Sequence, residues 1–288
     1  MNNEPNLKEI NKLFQDHISD DEIINIQRLS GTTAGLIYRL ESSQNHKYIL
    51  KYDAPEQIQI VNRIFNAYPD SSLLPKVLYT APDLTHYIYT YIEGTTHINR
   101  GAKREWLTKL VDELLNKYCP IQESTLWGRM EYPLQTWREF NEISIEEARF
   151  NIGDVLTLDD YKFVQSQVLK CHSGESSQDQ RYLLHGDAGV HNFVFDRSSL
   201  IGVIDPSPMI GPFLYDFAYA FCSSPDDIHI DTLMAAFDHL KQGSVSQTRL
   251  IDEVSVQLYC RVGLSIKHHP QDLPEYLEAW EYWKRLCI

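Results

Sequence analysis

The sequence predicts an α+β chain in two parts, a strand-rich amino-terminal third and a mainly helical remainder. Three observations lead there. Runs of β-branched and aromatic residues separated by turn residues recur from Ile23 to Gly94. Beyond Gly94, apolar residues recur instead at three- and four-residue spacing. The chain has 288 residues, 43% of them hydrophobic, which suffices for two modest cores.

Taken in order, residues 23–29 and 36–40 read as strands flanking Ser30-Gly31-Thr32-Thr33-Ala34-Gly35. Backbone amides in such a small-residue turn can approach an anion, with Gly31 as the candidate contact, although an ordinary hairpin turn has the same composition. Residues 48–52 form a third strand carrying Lys51, which by itself reads equally well as a solvated edge lysine. Residues 56–68 read as a helix whose one carboxylate, Glu56, falls in the first turn, where an acid complements the helix dipole. Tyr87-Ile88-Tyr89-Thr90-Tyr91-Ile92 is a further strand, closed by Glu93-Gly94.

After Gly94, residues 103–118 place Trp106, Leu107, Leu110, Val111, Leu114 and Leu115 on one face of an amphipathic helix. Residues 159–171, 231–240, 247–266 and 273–286 look similar, and the aromatics of the last, among them Trp280 and Trp283, read as core. Between the first two of these helices, residues 119–158 are charged and irregular at their start, and on composition alone they read as a surface helical hairpin.

The chemistry concentrates in His185-Gly186-Asp187-Ala188-Gly189-Val190-His191-Asn192, followed thirteen residues later by Asp205. Apolar runs at Leu183-Leu184, Phe193-Val194-Phe195 and 200–204 flank these residues, as short buried strands holding a loop would. Phosphoryl transfer needs a carboxylate near the attacking hydroxyl and separate oxygen ligands for magnesium. Asp187 supplies the first, while Asn192, five residues on, and Asp205 at a strand end supply the second.

This pattern resembles the aminoglycoside phosphotransferase family of small-molecule kinases. The loop reads His-Gly-Asp rather than the His-Arg-Asp of eukaryotic protein kinases, Asp205 precedes Pro206 rather than Phe-Gly, and no Ala-Pro-Glu follows. The resemblance implies a two-lobed protein-kinase-like fold. Residues 1–93 would form a nucleotide-binding lobe with an antiparallel sheet, and residues 94–288 a mainly helical catalytic and acceptor-binding lobe. Lys51 would contact the nucleotide phosphates, while the carbonyl of Thr90 and the amide of Ile92 would meet the base. Residues 119–158 and the last helices would shape the acceptor pocket. Gly211-Pro212-Phe213-Leu214-Tyr215-Asp216-Phe217-Ala218 is similar to the family's element that opens Gly-Asp-Pro and ends in Asp-hydrophobic-Ala, with Pro212 in place of the first Asp, and the resemblance makes Asp216 a buried support for the loop. His185 would likewise hold the loop by packing and hydrogen bonding. The implied cofactors are Mg²⁺ and ATP or GTP, and the implied partner is a small hydroxylated acceptor. One feature departs from the family: the glutamate that normally pairs the lysine is not evident, since Glu56 lies only five residues past Lys51. A catalytically silent nucleotide-binding module is therefore the alternative, opposed by the intact Asp187, Asn192 and Asp205.

Composition narrows the partners. Forty acidic against 26 basic residues give a formal charge of −14, which disfavours nucleic acid and anionic membranes and is compatible with a cationic acceptor such as an amino sugar. The start is polar and no run approaches a membrane span, so a cytoplasmic location is expected. Five cysteines without Cys-x-x-Cys spacing read as reduced thiols. Monomer and homodimer both stay open.

Overall fold

The structure, a computed structural model, describes residues 5–29, 35–122, 124–172, 180–242 and 245–287. The chain divides into two compact units, Met1–Glu93 and Gly94–Ile288.

In the first unit, strands β1 (Ile23–Arg28), β2 (Leu36–Ser42), β3 (Lys47–Tyr52), β4 (Val77–Thr80) and β5 (His86–Thr90) form an antiparallel sheet in the order β1-β2-β3-β5-β4. Register sets the faces. Leu50 stands opposite Tyr38 and Ile88, so all three enter one core, while Lys51 stands opposite Ile37 and Tyr87 on the other face. Helix α1 (Leu7–His17) covers the first face with Ile10 and Phe14, which join Ile23, Tyr38, Leu40, Leu50 and Ile88. Each such large apolar side chain contributes about 1.5–3 kcal/mol on full burial. The polar first residues concealed this helix. Its signals are the Asn6 cap, whose side chain accepts from Glu9 N at 2.9 Å, and the four-residue spacing of Ile10 and Phe14. Asn11 ties it to the sheet, since its amide donates to Ile23 O and accepts from Ile23 N. Helix α2 (Pro55–Ala67) opens on a proline and buries Ile58, Val61, Ile64 and Phe65.

In the second unit, α3 (Lys103–Glu113) stops short of residue 118 because Leu115–Lys117 tightens into a 3-10 turn. Short strands β6 (Gly128–Arg129), β7 (Tyr182–Leu184) and β10 (Met209–Gly211) form a sheet in the order β6-β10-β7, and β8 (Phe193–Asp196) pairs with β9 (Ser199–Val203) as a hairpin. Helices α4 (Trp137–Ile152), α5 (Leu158–Cys171), α6 (Leu214–Cys222) and α9 (Leu273–Leu286) pack around α8 (Gln247–His268), and α7 (Ile230–Phe237) packs on α3. Helix α4 corrects the surface-hairpin expectation for residues 119–158. It buries Trp137, Asn141, Ile145, Ala148 and Ile152, and a Cβ at Gly263 of α8 would lie 2.9 Å from Ala148 Cα, so the two helices approach as closely as glycine permits. Helix α6 gave no periodic signal because apolar residues surround it on every side. Its carboxyl end is bound by Lys103, whose buried ammonium donates to Phe221 O at 3.0 Å and Ser224 O at 2.8 Å. No described helix is long and apolar enough to cross a membrane.

Candidate active site

Strand β7 runs directly into His185-Gly186-Asp187, and a buried carboxylate shapes the turn. Asp216, on α6, is fully buried and accepts from His185 N at 2.8 Å, Gly186 N at 3.0 Å and the Tyr118 hydroxyl at 2.7 Å. Burial pushes its carboxyl up and these donors pull it down, with the balance raised to about 6. Gly186 has φ +77°, and a Cβ there would lie 2.0 Å from Ser207 O, so this position requires glycine. His185 is wholly buried, and burial lowers it to about 4, which keeps the ring neutral. Its Nδ1 accepts from Asp187 N at 3.3 Å, which assigns the ring proton to Nε2.

The loop then folds onto Asp187. Its Oδ1 accepts from the Tyr219 hydroxyl at 2.7 Å, and its Oδ2 accepts from Asn192 Nδ2 at 2.9 Å and lies 3.1 Å from His191 Nε2. Burial opposes ionisation of Asp187, but the hydrogen bonds and charge of His191, with the Tyr219 hydroxyl, outweigh it and hold the carboxyl well below the usual carboxylate range. Tyr219 stays protonated, because burial raises it to about 12. Asn192 Nδ2 also donates to Asp187 O at 3.0 Å, so the amide oxygen of Asn192 turns away from Asp187.

Asp205 reaches the same end of the loop through the β8–β9 hairpin. Phe193 pairs with Val203, and Ile204 N donates to Asn192 O at 2.9 Å, which sets the exposed Asp205 one residue beyond that rung. It adopts φ +54°, a left-handed conformation that aspartate tolerates better than most residues. The second unit thus gathers Asp187, Asn192 and Asp205. Magnesium takes one or two carboxylates, neutral oxygens, phosphate and water, so an amide oxygen and a carboxylate at an open edge have the donor chemistry to hold it.

In the first unit, Lys51 is buried on β3, and its ammonium lies 3.9 Å from Asp53 Oδ2. Asp53 was not anticipated as a neighbour of this lysine. Glu56 is exposed in the first turn of α2, and Asn62 spends its amide nitrogen on the Thr80 hydroxyl at 3.1 Å. Thr90 ends β5, and Ile92 follows it two residues on. Gly31 lies outside the described residues.

Beside Asp187 a cavity of about 570 Å³ opens between α4, α6 and α8, with Tyr219 in its wall. Arg129, Phe140, Tyr215 and Arg261 also line it, and none of these, nor Tyr219, was singled out from the sequence as a site residue. Tyr219 had one signal, its position a helical turn after Asp216. Arg261 had another: it is a charge between Leu258 and Val262 in an otherwise apolar helical stripe.

The second unit thus presents one carboxylate beside an amide and a second carboxylate, the donor types that phosphoryl transfer uses. The phosphotransferase enzyme family (APH) matches residues 25–244, so the chain belongs to that family. No curated protein sequence matches it. Solved structures that it resembles include a thermostable mutant of aminoglycoside phosphotransferase APH(4)-Ia in a ternary complex with ADP and hygromycin B, at 16% identity, covering 97% of both chains with a TM-score of 0.56. The macrolide 2'-phosphotransferase MphH of Brachybacterium faecium matches at 11% identity over 95% of this chain and 97% of its own, with a TM-score of 0.57. Choline kinase of Cryptosporidium parvum Iowa II matches at 12% identity over 97% and 95%, with a TM-score of 0.56. At these identities the likeness concerns the fold.

Proposed function

We propose that this protein transfers the γ-phosphoryl group of ATP or GTP to a hydroxyl of a small molecule. The observation that carries the reading is the Asp187 carboxylate, held ionised by His191 and Tyr219 and bonded to Asn192, with Asp205 one hairpin rung away. Asp187 orients the acceptor hydroxyl and takes its proton as the new oxygen–phosphorus bond forms and the bridging bond to the donor breaks. Because the transition state for this transfer is loose, the base needs little strength, and a carboxylate of depressed pKa serves. Asn192 and Asp205 would hold magnesium, whose chemistry is to neutralise the charge gathering on the phosphate oxygens. Lys51 steadies the nucleotide phosphates, Gly31 approaches them through its backbone, and the backbone of Thr90 and Ile92 meets the base.

The neighbours' substrates, hygromycin B, macrolides and choline among them, support an alcohol acceptor and do not choose one. A silent nucleotide-binding module is the second reading, favoured only by the exposure of Glu56. Incubation with Mg-ATP or Mg-GTP and a panel of hydroxylated compounds, read by mass spectrometry for phosphate gain, separates the two. Product from wild type and none from Asp187→Asn supports the kinase. Nucleotide bound but never turned over, whatever the acceptor, supports the module.

A further inference from the structure

The cavity beside Asp187 has a local charge unlike that of the whole molecule. Two guanidiniums line it, Arg129 and Arg261, against one exposed carboxylate at its rim, Glu147. Neither arginine forms a salt bridge with an acid among the described residues, although the Asp187 charge acts on both. Arg129 donates to Ser207 O at 3.2 Å and Ser207 Oγ at 2.6 Å. Arg261 is 91% buried by its relative exposure of 9%, and its Nη2 has no hydrogen-bond partner among the described residues. Its guanidinium lies 5.1 Å from the centre of the Tyr219 ring, the same tyrosine that donates to Asp187. The remaining wall includes the rings of Phe140, Tyr215 and Tyr219.

The Tyr219 ring and the Asp187 charge stabilise the Arg261 guanidinium, but its buried Nη2 still lacks an acceptor among the described residues, which costs the water that the group has lost. A polycation entering this cavity would meet two positive charges and aromatic walls. A carboxylate would meet the planar donor forks that match it, with an apolar surface beside them for the rest of the molecule. The Asp187 charge close by opposes a dianion such as a phosphate more strongly than it opposes a single carboxylate.

Resting on the kinase reading above, we infer that the acceptor is a hydroxy acid with an aromatic or apolar body, its carboxylate held by Arg261 and Arg129 and its hydroxyl turned to Asp187. The acidic balance of the whole chain therefore does not describe this pocket. Net charge averages a surface, whereas recognition depends on the groups within a few ångströms of the ligand.

The test compares three probes of one shape: 3-phenyllactate, the neutral 3-phenylpropane-1,2-diol and the cationic phenylalaninol, with hygromycin B as a polycation. Binding is measured by calorimetry on the full chain without nucleotide, so that it is read apart from turnover. Phenyllactate is expected to bind wild type on the order of tenfold tighter than phenylalaninol, the size of one charge-assisted hydrogen bond. Arg261→Met should abolish that preference, and Arg261→Lys, which keeps the charge, should retain its order; a thermal melt of each variant checks folding. Asp187→Asn should still bind phenyllactate. Tighter binding of phenylalaninol or hygromycin B, no saturable binding of phenyllactate, or a preference untouched by a folded Arg261→Met would each overturn the inference. If Arg261 serves only to hold Tyr219, its loss lowers turnover of every acceptor alike and leaves the preference intact. Failure of the kinase reading looks different: the carboxylate preference persists while no probe gains phosphate.

Discussion

Tyr219 donates its phenolic hydrogen to Oδ1 of Asp187 across 2.7 Å, while its ring carries the guanidinium of Arg261. One side chain thus joins the carboxylate of the candidate centre to the wall of the adjoining cavity. Tyr219→Phe keeps the ring and removes the donor. A hydrogen bond to a charged group is worth about 1.5–3 kcal/mol, so turnover should fall by on the order of tenfold or more while nucleotide affinity holds. Steady-state kinetics with the nucleotide varied checks this, and an unchanged kcat would show that the bond has no part in the chemistry.

Asp216 offers two oxygens to three donors, the amides of His185 and Gly186 and the Tyr118 hydroxyl. Asp216→Asn replaces one acceptor oxygen with a donor that faces a donor. The expected loss is about 1–3 kcal/mol of stability, the cost of a buried amide left without its partner. Turnover should fall with it, since the same amides set the path into Asp187. Urea unfolding and turnover measured on one preparation test the pair of effects together.

Lys103 is a lysine buried at the carboxyl end of α6, and burial lowers it to about 8. Its folded pKa lies below its unfolded value, so between about pH 8 and the ordinary lysine value of about 10 the native state holds fewer protons than the unfolded state. Stability should therefore rise with pH across that window. Lys103→Met should remove the rise and, near neutral pH, cost about 1–3 kcal/mol by stranding the carbonyls of Phe221 and Ser224. Denaturant midpoints taken at several alkaline pH values decide it.

Asp160 gives stability the same sign of pH dependence at the acid end. It is buried, and although burial raises its carboxyl, bonds from Lys284, Thr157 and the Trp280 indole hold it well below the usual range. A depressed acid contributes stability that is fully present above the unfolded value of about 4 and is lost as pH falls below it. In Asp160→Asn the acid-side decline of the melting temperature should flatten, and the plateau at neutral pH should sit lower because Trp280 and Lys284 lose a charged acceptor. A decline as steep as in wild type would place the acid sensitivity elsewhere.

Much of the candidate centre is legible in the sequence because its chemistry is local. Asp187 and Asn192 share one loop, and Asp205 follows within a single hairpin, so fixed offsets along the chain carry the arrangement. Asp216 was legible by resemblance, and its burial beneath His185 and Gly186 gives the reason for an acid there. The strands around Leu40, Leu50 and Ile88 followed from β-branched and aromatic runs, and α8 and α9 from their apolar spacing.

Other features had no local signature. Apart from Asp216, helix α6 is apolar all round, so periodicity is silent there, and α4 looked like a surface hairpin because its buried face is matched mainly by α8, about a hundred residues away. The sequence by itself determined which residues could do phosphoryl chemistry, because that chemistry is written in the spacing of one loop and one hairpin. Tertiary structure alone decided that Tyr219 holds Asp187 and that Arg129 and Arg261 line the cavity beside it. Those relationships join segments distant in the chain, and their energies depend on burial, which folding creates and composition cannot report.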